Sequence, residues 1–307
     1  MARRKKGIPV HGWVVLDKPP GMTSTQAVAA VRRLFMAQKA GHAGTLDPLA
    51  TGVLPIALGE ATKTVPFAVD GRKVYRFSVR WGVETDTDDA EGTAVATDAS
   101  RPSRSQIEAL LPQFIGEIMQ TPPAFSAIKV DGERAYDLAR SGSAVELEAR
   151  PVVIDRLELV DMPDADTALL ETECGRGTYV RALARDLGRL LGCRGHVAAL
   201  RRTRVGTFTD EGATSLQELQ QAADEGGEGG LASLLLPIET ALEDLLEINV
   251  SQADAARLAR GQPVLLRGRD APIVVGDAFA ISKGTLIALC EVAAGELRPT
   301  RVFNYGQ

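Results

Sequence analysis

From Tyr75 to Val83 the odd positions read Tyr75, Phe77, Val79, Trp81 and Val83, while the even ones include Arg76, Ser78, Arg80 and Gly82. Side chains alternate across a strand, so this period of two predicts a β-strand with one face on a core and the other towards water. Residues Gly12 to Asp17 read as a shorter strand, ended by the turn signal Pro19-Pro20-Gly21, and Val152 to Val160 and Ala168 to Cys174 as two more. Helical spacing appears between them. After a cap at Thr23, Ser24 or Thr25, residues Val28, Val31, Leu34 and Phe35 line one helix face, and Arg104 to Phe114 predicts another helix. In Tyr179 to Leu191 the positions Val180, Leu183, Leu187 and Leu190 are assigned to the core, and Arg181, Arg185 and Arg189 form a second stripe at i, i+4, i+8.

Strands and helices mix without a regular βαβ rhythm or a glycine-rich nucleotide turn, which predicts an α+β fold. At 307 residues the chain has room for one large domain and a small one. Gly226 to Gly230 (GGEGG) is the candidate flexible joint, and Ile248 to Gln307, with short apolar runs between Gly and Pro turns, predicts a small β-rich domain. No run approaches the roughly 20 apolar residues of a membrane span. The basic start MARRKK meets Pro9, His11 and Asp17 rather than an apolar core, so a cytoplasmic protein with a short basic arm is expected. Cys174, Cys193 and Cys290 are far apart and form no C-x-x-C pair, which argues against a disulfide framework or a cysteine zinc site; His11, His42 and His196 are equally scattered.

The formal charge of −5 conceals a segregation. Glu171 to Phe208 holds eight arginines against three acids, and Thr209 to Glu247 ten acids and no Lys or Arg. Such a basic block is either a footprint for phosphates or a salt-bridged surface, and charge alone does not choose.

Single residues have ordinary readings. Asp47 precedes Pro48, so by local pattern it is a helix N-cap. Asp86 to Gly92 has the acidic spacing of a calcium loop but lacks its sixth-position glycine, and reads as an exposed acidic turn. Arg181 is by default one of a solvated stripe, Tyr75 a sheet-face aromatic, and His42 a surface histidine.

Six blocks taken in order change this. DKPPGMTS (Asp17 to Ser24), GHAGTLDPLATG (Gly41 to Gly52), KVYRF (Lys73 to Phe77), TPPAFSAIKVDGERAYDLAR (Thr121 to Arg140), GTYVRALARDLG (Gly177 to Gly188) and LRRTRVG (Leu200 to Gly206) resemble the family of bacterial tRNA pseudouridine-55 synthases. The form DPLATG and the compact length are more similar to the stand-alone bacterial enzymes than to guide-RNA-dependent relatives. By position, length and the phrase LARGQPV (Leu258 to Val264), the C-terminal segment resembles the small RNA-binding domain of the PUA type.

The resemblance implies a catalytic domain over residues 10–235 with a mixed, mainly antiparallel sheet, an RNA-gripping insertion at 121–150, and a PUA-like domain at 248–307. It implies isomerisation of a uridine in the T-arm of tRNA, by a monomer, with no cofactor, metal or guide RNA. Asp47 inherits the role of catalytic carboxylate, Arg181 that of its charge partner, and Tyr75 that of the active-site tyrosine near the uracil. His42 is implied to sit beside the flipped nucleotides, and Lys18, Pro19 and Leu200 to line the pocket. Asp89 is implied to contact a displaced base, and Arg202 to join the substrate-binding set. Lys129, Arg134 and Arg140 are implied to contact phosphates. A chaperone of tRNA folding and an isomerase of another structured RNA stay open beside this reading.

Overall fold

The computed structural model describes residues 7–126, 128–130, 133–134, 147–266 and 275–305, with the backbone alone at 129–130, 133–134 and 227–228. Among the described residues, a nine-stranded sheet organises the larger part. Its main order is Gly12–Lys18, Thr51–Leu58, Gly195–Val205, Lys73–Trp81, Thr167–Cys174, Arg150–Asp164 and Gly116–Gln120. Two short strands, Ala40–His42 and Phe208–Thr209, join at the sides. Neighbours run antiparallel except where Thr51 and Gly52 lie parallel to Arg201 and Arg202. With its helices this makes an α+β fold containing a mixed, mainly antiparallel sheet.

The alternating stretch is the middle of that sheet. Phe77, Val79 and Trp81 are buried while Arg76 and Arg80 reach water, as a half-covered strand requires. The strand ends at Trp81 because Gly82 turns into the left-handed region at φ 92°, and Val83 then pairs with Thr97 in a separate two-stranded ribbon. Thr23 caps the first helix, Ser24–Leu34, by a reciprocal capping box with Gln26. The helix expected from Arg104 to Phe114 splits into Arg104–Leu110 and a tighter turn, Leu111–Phe114, with Pro112 in its first turn.

Four sequence readings are corrected by the packing. Leu190 is 62% exposed rather than in the core, because it lies in the last turn of Val180–Leu190, beyond the sheet's cover. Arg181 and Arg185, expected in solvent, are buried instead. The acidic turn Asp86 to Gly92 is exposed only in part: Asp86, Ala90 and Glu91 reach water, but Asp88 and Asp89 are buried, since that side of the turn lies over the arginine side of the helix. Asp47 caps no helix; the chain makes one turn, Ala50 N–H to Asp47 C=O at 3.1 Å, and enters the strand Thr51–Leu58.

The glycine run GGEGG is not an open joint but lies within helical turns from Leu216–Ala232. Ser215 and Glu218 box its start, and Leu219 and Leu231 bury its two ends. A side chain at Gly230 would strike the carbonyl of Ala222 eight residues back. A straight helix would separate those residues by about 12 Å, so the glycines let the segment fold back on itself.

Leu246–Asn249, Gly276–Ser282, Thr285–Ala293, Glu296–Val302 and Val264–Leu265 form a second, five-stranded sheet, with the helix Gln252–Leu258 against it. Ile248, Leu258, Ala278, Ala288, Val292 and Leu297 make its own core. Its other face, through Phe279, Leu286, Leu289 and Phe303, joins an apolar cluster with Trp13, Val15, Val53 and Phe208 of the large sheet.

Candidate active site

A cleft of about 720 Å³ opens where the six sequence blocks meet, and Asp47 lies on its floor. The loop carrying Asp47 is held from two sides. Ser24 Oγ donates to the Leu46 carbonyl (3.0 Å) and accepts from the Leu46 N–H (2.9 Å). The Pro48 carbonyl accepts from the Gly21 N–H (2.8 Å) and from Lys18 Nζ (3.2 Å). From the opposite side Arg202 donates Nε to the Val53 carbonyl (2.8 Å) and Nη2 to the Gly44 carbonyl (3.0 Å). Gly52, at φ 96°, lets the Arg202 backbone come so close that a side chain there would collide with its carbonyl. That contact explains the glycine in DPLATG and its link to LRRTRVG.

Arg181 donates Nε to Asp47 Oδ2 at 2.9 Å. The guanidinium is 6% exposed and the carboxylate 35%, so the carboxylate keeps an open side towards the cleft while its cation lies beneath. Arg181 also donates to the Thr87 carbonyl (2.8 Å) and the Phe125 carbonyl (3.0 Å), and Asp89 stands 3.6 Å from its Nε. A planar fork with a partner at each of its three nitrogens has little freedom to turn.

Tyr75 comes from the central strand, and Arg202 stands across from it, its guanidinium 6.0 Å from the ring centroid. Burial pushes the Tyr75 phenol up, against the opposing pull of Arg202. Burial also lowers His42, with the Arg202 charge acting the same way, and its buried Nδ1 has no hydrogen-bond partner among the described residues. Lys73 lies at the cleft edge, pushed down to about 8 by burial and then by Arg202, and donates to the Val69 and Gly71 carbonyls.

The cleft thus brings together Asp47, Tyr75, Arg181, His42, Leu200 and Arg202. It does not bring in Lys18, Pro19 or Asp89. Lys18 is fully buried behind the loop, donating to the Pro19, Met22 and Pro48 carbonyls, and burial holds its amine down to about 8 despite Asp47 nearby. Asp89 is 3% exposed and accepts from Thr87 Oγ1 and the Glu91 N–H. Lys129 and Arg134 pair through their backbones in a short hairpin; their side chains, and all of Arg140, lie outside the described residues.

Sequence reasoning missed Tyr179, Thr178, Ser126 and Lys73 in the cleft wall, and the ion pair of Arg185 with Asp88 behind it. The arginine spacing was the available signal for that pair, but nothing local tells which acid faces it. The basic block turns out to be compensated by acids, most of them from distant segments. Arg176 meets Asp70, Arg189 and Arg194 meet Glu84, Arg201 meets Asp17 and Arg204 meets Glu173.

Residues 32–180 match the model of the TruB family pseudouridylate synthase N-terminal domain, and residues 181–243 that of the tRNA pseudouridylate synthase B C-terminal domain. The chain belongs to the TruB family of pseudouridine synthases, isomerases that form pseudouridine. A protein of Nitrobacter winogradskyi named tRNA pseudouridine synthase B is 63% identical over 96% of this chain and 83% of its own length. One of the same name from Brucella anthropi is 53% identical over the full length of both. Among solved structures, a Cbf5-Nop10-Gar1 complex contains a chain with a TM-score of 0.75 and 26% identity, covering 96% of this chain and 87% of that one. An archaeal box H/ACA Nop10-Cbf5 complex gives 0.73 and 26%, covering 100% and 95%. The boundary at 180 between the two family models falls at the first residue of the helix that carries Arg181. It divides the sequence but not the site.

Proposed function

We propose that this protein converts uridine 55 in the T-arm loop of tRNA to pseudouridine, with Asp47 as the catalytic carboxylate. The observation that carries this is the partly exposed Asp47 on the cleft floor, held at 2.9 Å by a buried Arg181. The relatives named tRNA pseudouridine synthase B support tRNA as the substrate.

The reaction breaks the C1′–N1 glycosidic bond, turns the uracil, and joins C1′ to C5. C5 loses a proton and N1 gains one, so nothing is added or lost overall. It needs a carboxylate able to act as nucleophile or base. Asp47 supplies the oxygen that faces the cleft, and Arg181 holds the other. Tyr75 and Leu200 offer an aromatic and an apolar wall for a base taken out of its stack, an extrusion that costs a few kcal/mol. His42, uncharged near neutrality, fits beside unpaired bases better than beside phosphates. Arg202, tied to three carbonyls, acts from behind by shaping the Asp47 loop.

The test is incubation of purified protein with unmodified tRNA, without a guide RNA, and detection of pseudouridine at position 55. Wild-type protein should form it on tRNA and on an isolated T-arm hairpin. Asp47→Asn should bind RNA and form none. Absence of product from wild type would sink the proposal, and a tRNA-folding effect that survives in Asp47→Asn would point to a chaperone instead.

A further inference from the structure

The helix Val180–Leu190 carries Arg181 and Arg185 one turn apart, and the two make the same double grip. Arg181 donates Nη1 to the Thr87 carbonyl at 2.8 Å and Nη2 to the Phe125 carbonyl at 3.0 Å. Arg185 donates Nη1 to the Asp88 carboxylate at 2.9 Å and Nη2 to the Thr121 carbonyl at 2.7 Å. Each therefore ties the acidic turn on one side and the 121–126 segment on the other. They differ in Nε: that of Arg181 meets Asp47, and that of Arg185 meets Asp186 on its own helix at 2.8 Å. Arg185 and Asp88 do not line the cleft.

Asp88 is an expensive residue in this place. Its side chain is 7% exposed and that of Arg185 8%, so both ions have lost nearly all their water, which costs each of them free energy. Burial pushes the Asp88 carboxyl up to about 6 even with Arg185 and Arg181 beside it. Its backbone sits at φ 60°, in the left-handed region, which Asp is among the few L-residues to enter. These costs argue that the pair serves geometry rather than stability. The geometry is specific: the Asp88 carbonyl accepts from the Val197 N–H (3.0 Å) and its N–H donates to the Thr85 carbonyl (3.2 Å). With the carboxylate fixed as well, the preceding residue, Thr87, has its carbonyl held where Arg181 takes it.

We propose that the Asp88–Arg185 pair is a positioning element for the isomerisation, setting the Thr87 carbonyl and the 121–126 segment so that Arg181 aims its Nε at Asp47. The inference rests on the reading of Asp47 and Arg181 as the reacting pair. Asp88 and Arg185 touch no substrate; they act through Arg181, whose misplacement by a fraction of an ångström is enough to slow chemistry.

The experiment measures single-turnover rate, tRNA affinity and melting temperature for Asp88→Asn, Arg185→Gln and the double variant. Arg189→Met is the control, since that side chain is 49% exposed and its partner Glu84 keeps Arg194. Each single variant should slow the chemical step about 10- to 100-fold, with tRNA affinity within about twofold. The double should be no slower than the slower single, as expected of two residues acting as one unit. Arg185→Lys, which keeps the charge but not the fork, should fall between Arg185→Gln and wild type, and Arg189→Met should match wild type. Near-wild-type rates in the singles, multiplying effects in the double, or rates that fall only in step with melting temperature and affinity would overturn the inference. If the other variants do not fold, Arg185→Lys decides: a slower step at unchanged affinity supports it and a wild-type rate overturns it. Asp47→Asn is run alongside. Wild-type turnover there would defeat the underlying reading, whereas an inactive Asp47→Asn beside a fully active Asp88→Asn defeats the positioning role alone.

Discussion

The floor of the cleft and the core of the C-terminal sheet are both buried, yet they are built from opposite materials. Around the cleft Lys18, Lys73, Arg181, Arg185, Arg202, Asp88 and Asp89 are all withdrawn from water. In the C-terminal sheet the interior is Ile248, Leu258, Ala278, Ala288, Val292 and Leu297, and among its described residues Ser282 is the buried polar exception. Apolar burial is favourable in proportion to area and indifferent to direction. Buried charge gains little net stability, but its hydrogen bonds are directional and expensive to leave unmade. One region is assembled to hold together and the other to hold a carboxylate in place.

Substitutions should separate the two. The largest effect is expected from Asp47→Asn, which should lower turnover by at least about 1,000-fold while leaving the melting temperature nearly unchanged, because the side chain is partly exposed. An Asp47→Asn enzyme that melts early would place Asp47 among the structural charges. Arg181→Met should slow single turnover about 100-fold or more and also cost some stability, since Asp89 loses a partner while an apolar stem remains. Denaturant titration beside the rate assay tells whether activity falls further than stability, as the contrast requires.

Leu297→Ala should do the reverse. The residue is fully buried, so the loss should be about 3 kcal/mol in urea unfolding, with turnover on the T-arm hairpin unaffected. A matching loss of turnover would mean that the two regions act as one. The smallest effect concerns pH. Asp88 is raised from 3.8 to about 6, so between those values the folded chain binds a proton that the unfolded chain releases. Stability carried by this group is therefore greatest near pH 4 and is lost as pH rises through about 6. Wild type should lose about 2 kcal/mol relative to Asp88→Asn over that range. Parallel pH profiles for the two proteins would show that the Asp88 carboxyl is better solvated than its burial suggests.

How far the sequence could be read differed between the same two regions. The strands at 12–17, 152–160 and 168–174, the β-rich C-terminal segment and the helix after Thr23 were legible, because period and caps are local properties. Tyr75 to Val83 was legible as a strand but not where it stops, which hangs on the left-handed turn at Gly82. The candidate site was legible through the ordered blocks, which named Asp47, Tyr75, Arg181 and Arg202 before any contact was known. The arginine stripe was legible as spacing and misread as environment. Arg181 and Arg185 were assigned to water because nothing within the helix tells what covers that face.

Local chemistry in the chain alone determined the period of the central strand, the helix caps and the residues able to do carboxylate chemistry. Tertiary structure alone decided that an acidic turn at 86–92 covers an arginine face at 181–185, that Asp47 meets Arg181 across 134 residues, and that Lys18 lies behind the cleft wall rather than in it. The physical reason is one of range. Backbone preferences and side-chain periodicity act over a few residues, whereas burial and ion pairing depend on which distant segment arrives to exclude the water.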